Sequence, residues 1–281
     1  MKLGRNILIV TTLSVVIAGM SIAIGDIDVS IFAFPLNLLL IALWLITIMS
    51  LWRKRSNSSI AKQVLSPQAT WLALALMVII GIVIGTETKP RTTELWVIVA
   101  ILYVLSHLTL VTLRGWRNRN GIRWRFILLH AGLWLALMAG FWGAPDRHVL
   151  RMALNEGEKS NIAYNMAGGA ESIDYEIRLN RLTVESNAQG QLSKIEALAD
   201  VDTTTTTLSV NHPYQKGLST KIYIVSQGID SKDGAKYAVL EIIYEPWQWL
   251  MCLGIVMMML GAVMLYIKGP KRTKIDEGAK S

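Results

Sequence analysis

Six apolar runs dominate this chain, at residues 6–24, 31–52, 69–86, 95–113, 126–144 and 247–267. A helix needs about 20 mostly apolar residues to cross the hydrocarbon core of a bilayer, and each run is of that order. Only 17% of the residues are charged, and the mean hydropathy is +0.41. That composition argues against a water-soluble globular chain. Lys2 and Arg5 precede the first run in the manner of a signal peptide. No small-residue cleavage site follows, and a second run begins within a few residues, so the segment is expected to be a retained helix.

The net charge of +8 has a specific distribution. Lys2 and Arg5 precede run one, and Arg53, Lys54, Arg55 and Lys62 separate runs two and three. Arg114, Arg117, Arg119, Arg123 and Arg125 separate runs four and five, and Lys268, Lys271, Arg272 and Lys274 follow run six. These four segments share one side if all six runs cross, and the positive-inside rule makes that side the cytoplasm. The basic balance thus reflects topology, and nucleic acid is not expected as a partner. Both termini are expected in the cytoplasm of a bacterial cell, with the protein multi-pass in its inner membrane and lipid as the solvent of its spans.

Between runs five and six lies a soluble stretch, 145–246, expected outside the cytoplasm. Its Thr/Val/Ile/Tyr-rich segments at 171–185, 192–198, 203–210, 220–225 and 236–244 read as strands, with turns at 187–190 and 230–234. The fold class expected is therefore six transmembrane α-helices plus an extracytoplasmic β-rich domain between helices five and six. The β part is expected as a sandwich or an open barrel. The segments divide as an N-terminal hairpin (1–55), a three-helix core (69–144), the β-rich domain (145–246), a final helix (247–267) and a basic cytoplasmic tail (268–281).

Chemical motifs are few. Cys252 is the single cysteine, which excludes a disulfide framework, a CxxC redox pair and a CxxCH haem-attachment motif. No GxSxG, P-loop, HExxH or paired intramembrane carboxylates occur. Of four histidines, His148 and His212 fall in polar surroundings, but His107 and His130 fall inside apolar runs. An ionisable side chain at membrane depth is costly and usually faces a partner or a cavity. At about 1.5 Å rise per residue the two lie roughly 10 Å and 8 Å from the cytoplasmic edge, on consecutive antiparallel helices. They could approach each other at one level, and neutral imidazole is a good axial ligand for haem iron. The plainer alternative is that each histidine donates one hydrogen bond to a backbone carbonyl on a neighbouring helix. The methionines at 251, 257, 258, 259 and 264 read as packing side chains before ligands.

An ordered series of features resembles the ResB/CcsB family of cytochrome c biogenesis proteins over about residues 69–267. Ile84-Gly85-Thr86 closes run three, and Trp96 opens run four. An Arg-rich loop leads to Phe126-Ile127-Leu128-Leu129-His130. After Gly143 comes Asn155-Glu156-Gly157-Glu158, then Asn211-His212-Pro213 with Lys216-Gly217 and Ile222-Tyr223. Glu245-Pro246, Gly254 and Gly261 complete the series.

The resemblance implies a subunit that binds b-type haem in the membrane and helps deliver it to the outer face for attachment to apocytochrome c. Its partner would be a ResC/CcsA-type protein carrying the Trp-rich motif that this chain lacks, and a thioredoxin-like thiol reductant would act nearby. By matching position His130 would ligate the haem iron. The assignment of His107 as second ligand comes from the depth comparison. The chain would be the accessory half of a haem lyase, non-catalytic alone. The hairpin 1–55 is additional to the family's four-span core. Two other readings remain open. One is a non-haem assembly scaffold acting through the β-domain, and the other is a small transporter, disfavoured because only run two has an internal proline (Pro35) and no broken-helix pair repeats.

Overall fold

The computed structural model describes residues 19–21, 23–25, 27–54, 57, 59–86, 93–118, 121–186, 192–229 and 234–268. The apolar run up to residue 18, Asp26, residues 87–92, the expected turns at 187–190 and 230–233, and the tail from 269 lie outside these residues. The chain divides into a helical unit (residues 1–145 and 250–281) and a β unit (146–249).

Five described helices are long and apolar enough to cross a membrane. They are α1 (Leu36–Arg53), α3 (Pro67–Thr86), α4 (Leu95–Gly115), α5 (Trp124–Gly143) and α6 (Gln248–Lys268), with a short α2 (Ser59–Val64) ahead of α3. The second apolar run was expected as a helix from residue 31, but α1 begins at Leu36. Val29–Phe32 forms one 3-10 turn capped by Asp28, whose carboxylate accepts from the Ser30 N–H. Pro35 stands at the helix N-cap, where its missing N–H leaves no broken bond inside the helix. It is therefore a helix-starting proline, not an internal one.

Within the helical unit α4 packs against α1, α3 and α5. Ile80, Val97 and Ala100 form the α3–α4 core, joined by Leu76 and Ile84. The α5–α6 contact is built on glycine. A Cβ on Gly254 would stand 2.6 Å from the Ala136 nitrogen and the Gly132 carbonyl oxygen, and one on Gly261 would stand 2.9 Å from the Leu129 nitrogen. Backbone meets backbone there, the close approach that small residues permit between membrane helices. The Arg-rich loop between α4 and α5 carries a minimal hairpin, β1 (Arg117–Asn118) with β2 (Gly121–Ile122).

The β unit is one eight-stranded antiparallel sheet: β3 (His148–Asn155), β4 (Lys159–Asn165), β5 (Ala170–Ser186), β6 (Leu192–Val201), β7 (Thr204–Ser209), β8 (Tyr214–Lys216), β9 (Thr220–Ile229) and β10 (Lys236–Tyr244). Their spatial order is β7-β6-β5-β4-β3-β10-β9-β8. The edge strands β7 and β8 are consecutive in sequence. Ser209 and His212 exchange backbone hydrogen bonds across the turn that joins them (3.0 and 3.4 Å). The sheet thus curls back toward itself in a barrel-like way, its two edge strands joined by this single bridge. Asn211 holds this turn at φ 67°, a left-handed conformation that asparagine tolerates. Alternate residues such as Leu150, Met152 and Leu154 on β3, and Ala238, Leu240 and Ile242 on β10, fill one continuous interior. The strands expected from sequence are present. In addition β3, β4 and β8 supply three that the sequence reading left as connecting segments.

Candidate functional site

The two intramembrane histidines are each held by a backbone carbonyl. His107, on α4, is 5% exposed, and its Nδ1 lies 2.9 Å from the Val64 carbonyl oxygen at the end of α2. His130, on α5, places its Nδ1 2.9 Å from the Phe126 carbonyl oxygen and stacks on the Phe126 ring at 3.8 Å between centroids. A carbonyl only accepts, so Nδ1 is the donor in both rings, and in the neutral ring Nε2 keeps its lone pair. Among the described residues the buried Nε2 of His107 has no hydrogen-bond partner. This is the tautomer in which imidazole ligates metal, with the second ring nitrogen fixed by a carbonyl.

The helical faces separate the two rings. Trp134 of α5 donates its indole N–H to the Thr109 hydroxyl of α4 at 2.8 Å. His130 sits one turn before Trp134, hence on the same side of α5. On α4, however, His107 is two residues from Thr109, about 200° around the axis at 3.6 residues per turn. His107 instead shares a face with Tyr103, which stacks near it and whose hydroxyl reaches the Ala69 carbonyl of α3. One histidine therefore addresses α3 and the segment before it, and the other addresses α4. Equal depth, which the sequence supplied, does not bring them into one cleft.

Toward the other end of α5 the helical unit holds a second polar feature that sequence reading passed over. Asn37 is fully buried, donates to the Trp142 carbonyl at 3.2 Å, and accepts from the Leu38 N–H. Trp44 lies 6.4 Å from Trp142 and donates to Ser106 of α4. An asparagine inside an apolar run was the available signal.

In the β unit the segments that carried the family resemblance have structural roles. Asn155-Glu156-Gly157-Glu158 is the β3–β4 turn, with Gly157 at φ 86°. It latches onto β5: the Gly157 N–H donates to Leu179, and the Glu156 carboxylate accepts from the Leu182 N–H at 2.6 Å. At the barrel neck three pairs tie the start of β3 to the end of β10. Trp247 donates to the Asp146 carboxylate (2.6 Å), Arg147 pairs with Glu245 (2.8 Å), and His148 stacks with Tyr244. His148 and His212 thus serve the neck and the closing turn.

A groove of about 450 Å³ lies where β5 carries extra residues, lined by Asn161, Ile173, Asp174, Tyr175, Glu176 and Asp202. Its carboxylates are partly neutralised, Glu176 by Lys159 and Asp202 by Lys216. Burial, aided by Asp174, pushes the Tyr175 phenol up to about 12. Among the described residues no group of three or more His, Cys, Asp or Glu is placed to hold a metal ion.

No family model matches the chain, and no curated protein matches it in sequence. Among solved structures it is similar to one titled "Cytochrome c Heme Lyase CcmF", with a TM-score of 0.40 and 13% identity. The match covers 70% of this chain and 34% of that one, so the chain spans about a third of its length. At that level of overlap the function rests on the residues of this chain.

Proposed function

We propose that the chain is a membrane subunit of cytochrome c biogenesis, of the ResB/CcsB kind, that binds haem through His130 and aids its delivery to apocytochrome c at the outer face. The ordered sequence series from Ile84 to Gly261 supports the family reading, and the alternation of basic segments supports a cytoplasmic side for the α1–α3 and α4–α5 connections. The observation that carries the haem reading is the setting of the intramembrane imidazoles, each with Nδ1 2.9 Å from a carbonyl oxygen, which leaves Nε2 to ligate. His107 is then a second imidazole on another face of α4, with its Nε2 left to ligate. Haem iron, when bound, supplies an acceptor for the imidazole lone pair. The chain supplies ring orientation and an apolar surround. Attachment to cytochrome thiols falls to a ResC/CcsA-type partner, and a thioredoxin-like protein supplies reductant, since the single cysteine cannot.

The test is the absorption spectrum of purified full-length protein, oxidised and reduced, for wild type, His130→Ala and His107→Ala. A sharp reduced α-band, lost in His130→Ala, is expected. Colourless protein even after co-expression with the partner would sink the haem reading. A non-haem scaffold acting through the β unit would then take its place, a reading favoured by the two histidines addressing different neighbours.

A further inference from the structure

Among the described residues of the β unit three large apolar side chains are exposed above all others: Leu218 at 74%, Met166 at 68% and Ile229 at 67%. Register separates them into two ends of the barrel. Tyr244 pairs with His148 and with Thr220, and Leu150 pairs with Asn165, so His148, Tyr244, Thr220 and Asn165 lie toward one rim. Met166 follows Asn165 in the β4–β5 turn, and Leu218 precedes Thr220 in the β8–β9 turn. Ile229 pairs with Lys236 at the opposite end of the same ladder.

The rim with Met166 and Leu218 is the one joined to the apolar spans. The span Trp124–Asp146 ends two positions before His148, and α6 begins at Gln248, four positions after Tyr244. Even fully extended, four positions reach no more than roughly 15 Å. The neck pairs Arg147–Glu245 and Trp247–Asp146 tie the two connections to each other. Strand β4 lies beside β3 and β9 lies beside β10. The two exposed tips therefore flank the two tethered strands, one on each side.

We propose that the β4–β5 and β8–β9 turns rest on the lipid surface of the membrane, with Met166 and Leu218 entering its headgroup region as apolar tips. Water contact for an apolar side chain is unfavourable, and transfer into the interfacial layer relieves it. Single exposed apolar residues need no explanation in general. What distinguishes this pair is its placement on both sides of two short tethers. Ile229, equally exposed at the far end, provides the internal control. No residue of the haem reading is involved, so the two readings stand or fall separately.

The test uses the full chain with Cys252→Ala and a single nitroxide label at Met166→Cys, Leu218→Cys or Ile229→Cys. Each is reconstituted in vesicles of phosphatidylethanolamine and phosphatidylglycerol. Collision rates with oxygen, which concentrates in lipid, and with a water-soluble nickel chelate are then compared. The expected result is an oxygen-to-chelate ratio several-fold higher at 166 and 218 than at 229. Equal ratios at all three positions would overturn the proposal. So would a lipid signature at only one tip. Protection from both reagents at 166 and 218 would also overturn it, by showing a protein contact there.

Discussion

The helical unit and the β unit expose opposite kinds of residue. In the β unit Met152, Leu182, Ile222 and Leu240 fill the barrel while Glu, Lys, Asn and Thr face outward. In the helical unit Trp71, Ile82, Met259 and Tyr266 are exposed, whereas Ala69, Ala73, Ala139, Gly132 and Gly254 lie at the contacts. The difference identifies the solvent of each part. Water drives large apolar groups inward. Lipid is as apolar as leucine, so helices associate where small residues allow backbones to approach closely. A single rule for the core would therefore misread one half of the molecule.

That contrast is broken most directly by making the same substitution in both halves. Leu240→Ala in the barrel interior is expected to destabilise the β unit by about 2–5 kcal/mol, through lost burial and a residual cavity. Leu260→Ala on the exposed side of α6 should change stability far less. Thermal unfolding in detergent, followed by circular dichroism in the β and helical bands, reads both. Equal losses would mean that Leu260 is covered by protein and that α6 faces no lipid there.

Adding a methyl group sharpens the contrast from the other direction. Gly254→Ala places a Cβ 2.6 Å from fixed backbone atoms of α5, so the α5–α6 pair must part. A loss of about 1–3 kcal/mol is expected. At Gly140, on α5, the same change meets nothing within 4 Å. There alanine should be neutral or stabilising by up to about 1 kcal/mol, because it favours helix. If the two substitutions behaved alike in the same melting experiment, glycine-mediated packing would not be what joins α5 to α6.

Much of the architecture was legible from residues, and the failures have physical causes. Runs 69–86, 95–113, 126–144 and 247–267 match α3, α4, α5 and α6 to within about two residues at either end, since apolar length is what a bilayer selects. Run 31–52 misjudged the start of α1 because apolar content is blind to the 3-10 turn and the proline ahead of it. Strand β3 alternates as cleanly as any, with Leu150, Met152 and Leu154 inward, but Leu, Met and Ala are not strand-favouring residues. Its pattern was visible and its composition disguised it. The depth of the two histidines was readable at 1.5 Å per residue, whereas their faces depend on which helix lies beside which. The Val64 carbonyl that fixes His107 stands 43 residues away in sequence.

The smallest expected effect concerns a polar group at the barrel's edge of burial. Tyr175 packs against the β core, with the Lys216 ammonium 4.6 Å from its ring centre. Burial first, and Asp174 second, raise its pKa to about 12 from the ordinary 10.0. Below pH 10 the phenol is neutral in both folded and unfolded chains, so its titration leaves stability unchanged there. Between the two values the unfolded chain releases the proton and the folded chain keeps it. The unfolded state then binds fewer protons, and stability falls as pH rises through this window. The group is only half-buried, so solvent screening keeps the effect modest beside a cavity in the core. Tyr175→Phe removes this titration, and the β unit should then lose stability less steeply from pH 10 toward 12 than wild type. Chemical denaturation of the two proteins at stepped alkaline pH measures that slope. If wild type and Tyr175→Phe declined in parallel, the barrel would not shield this phenol, and the interior would be wetter at β5 than its packing implies.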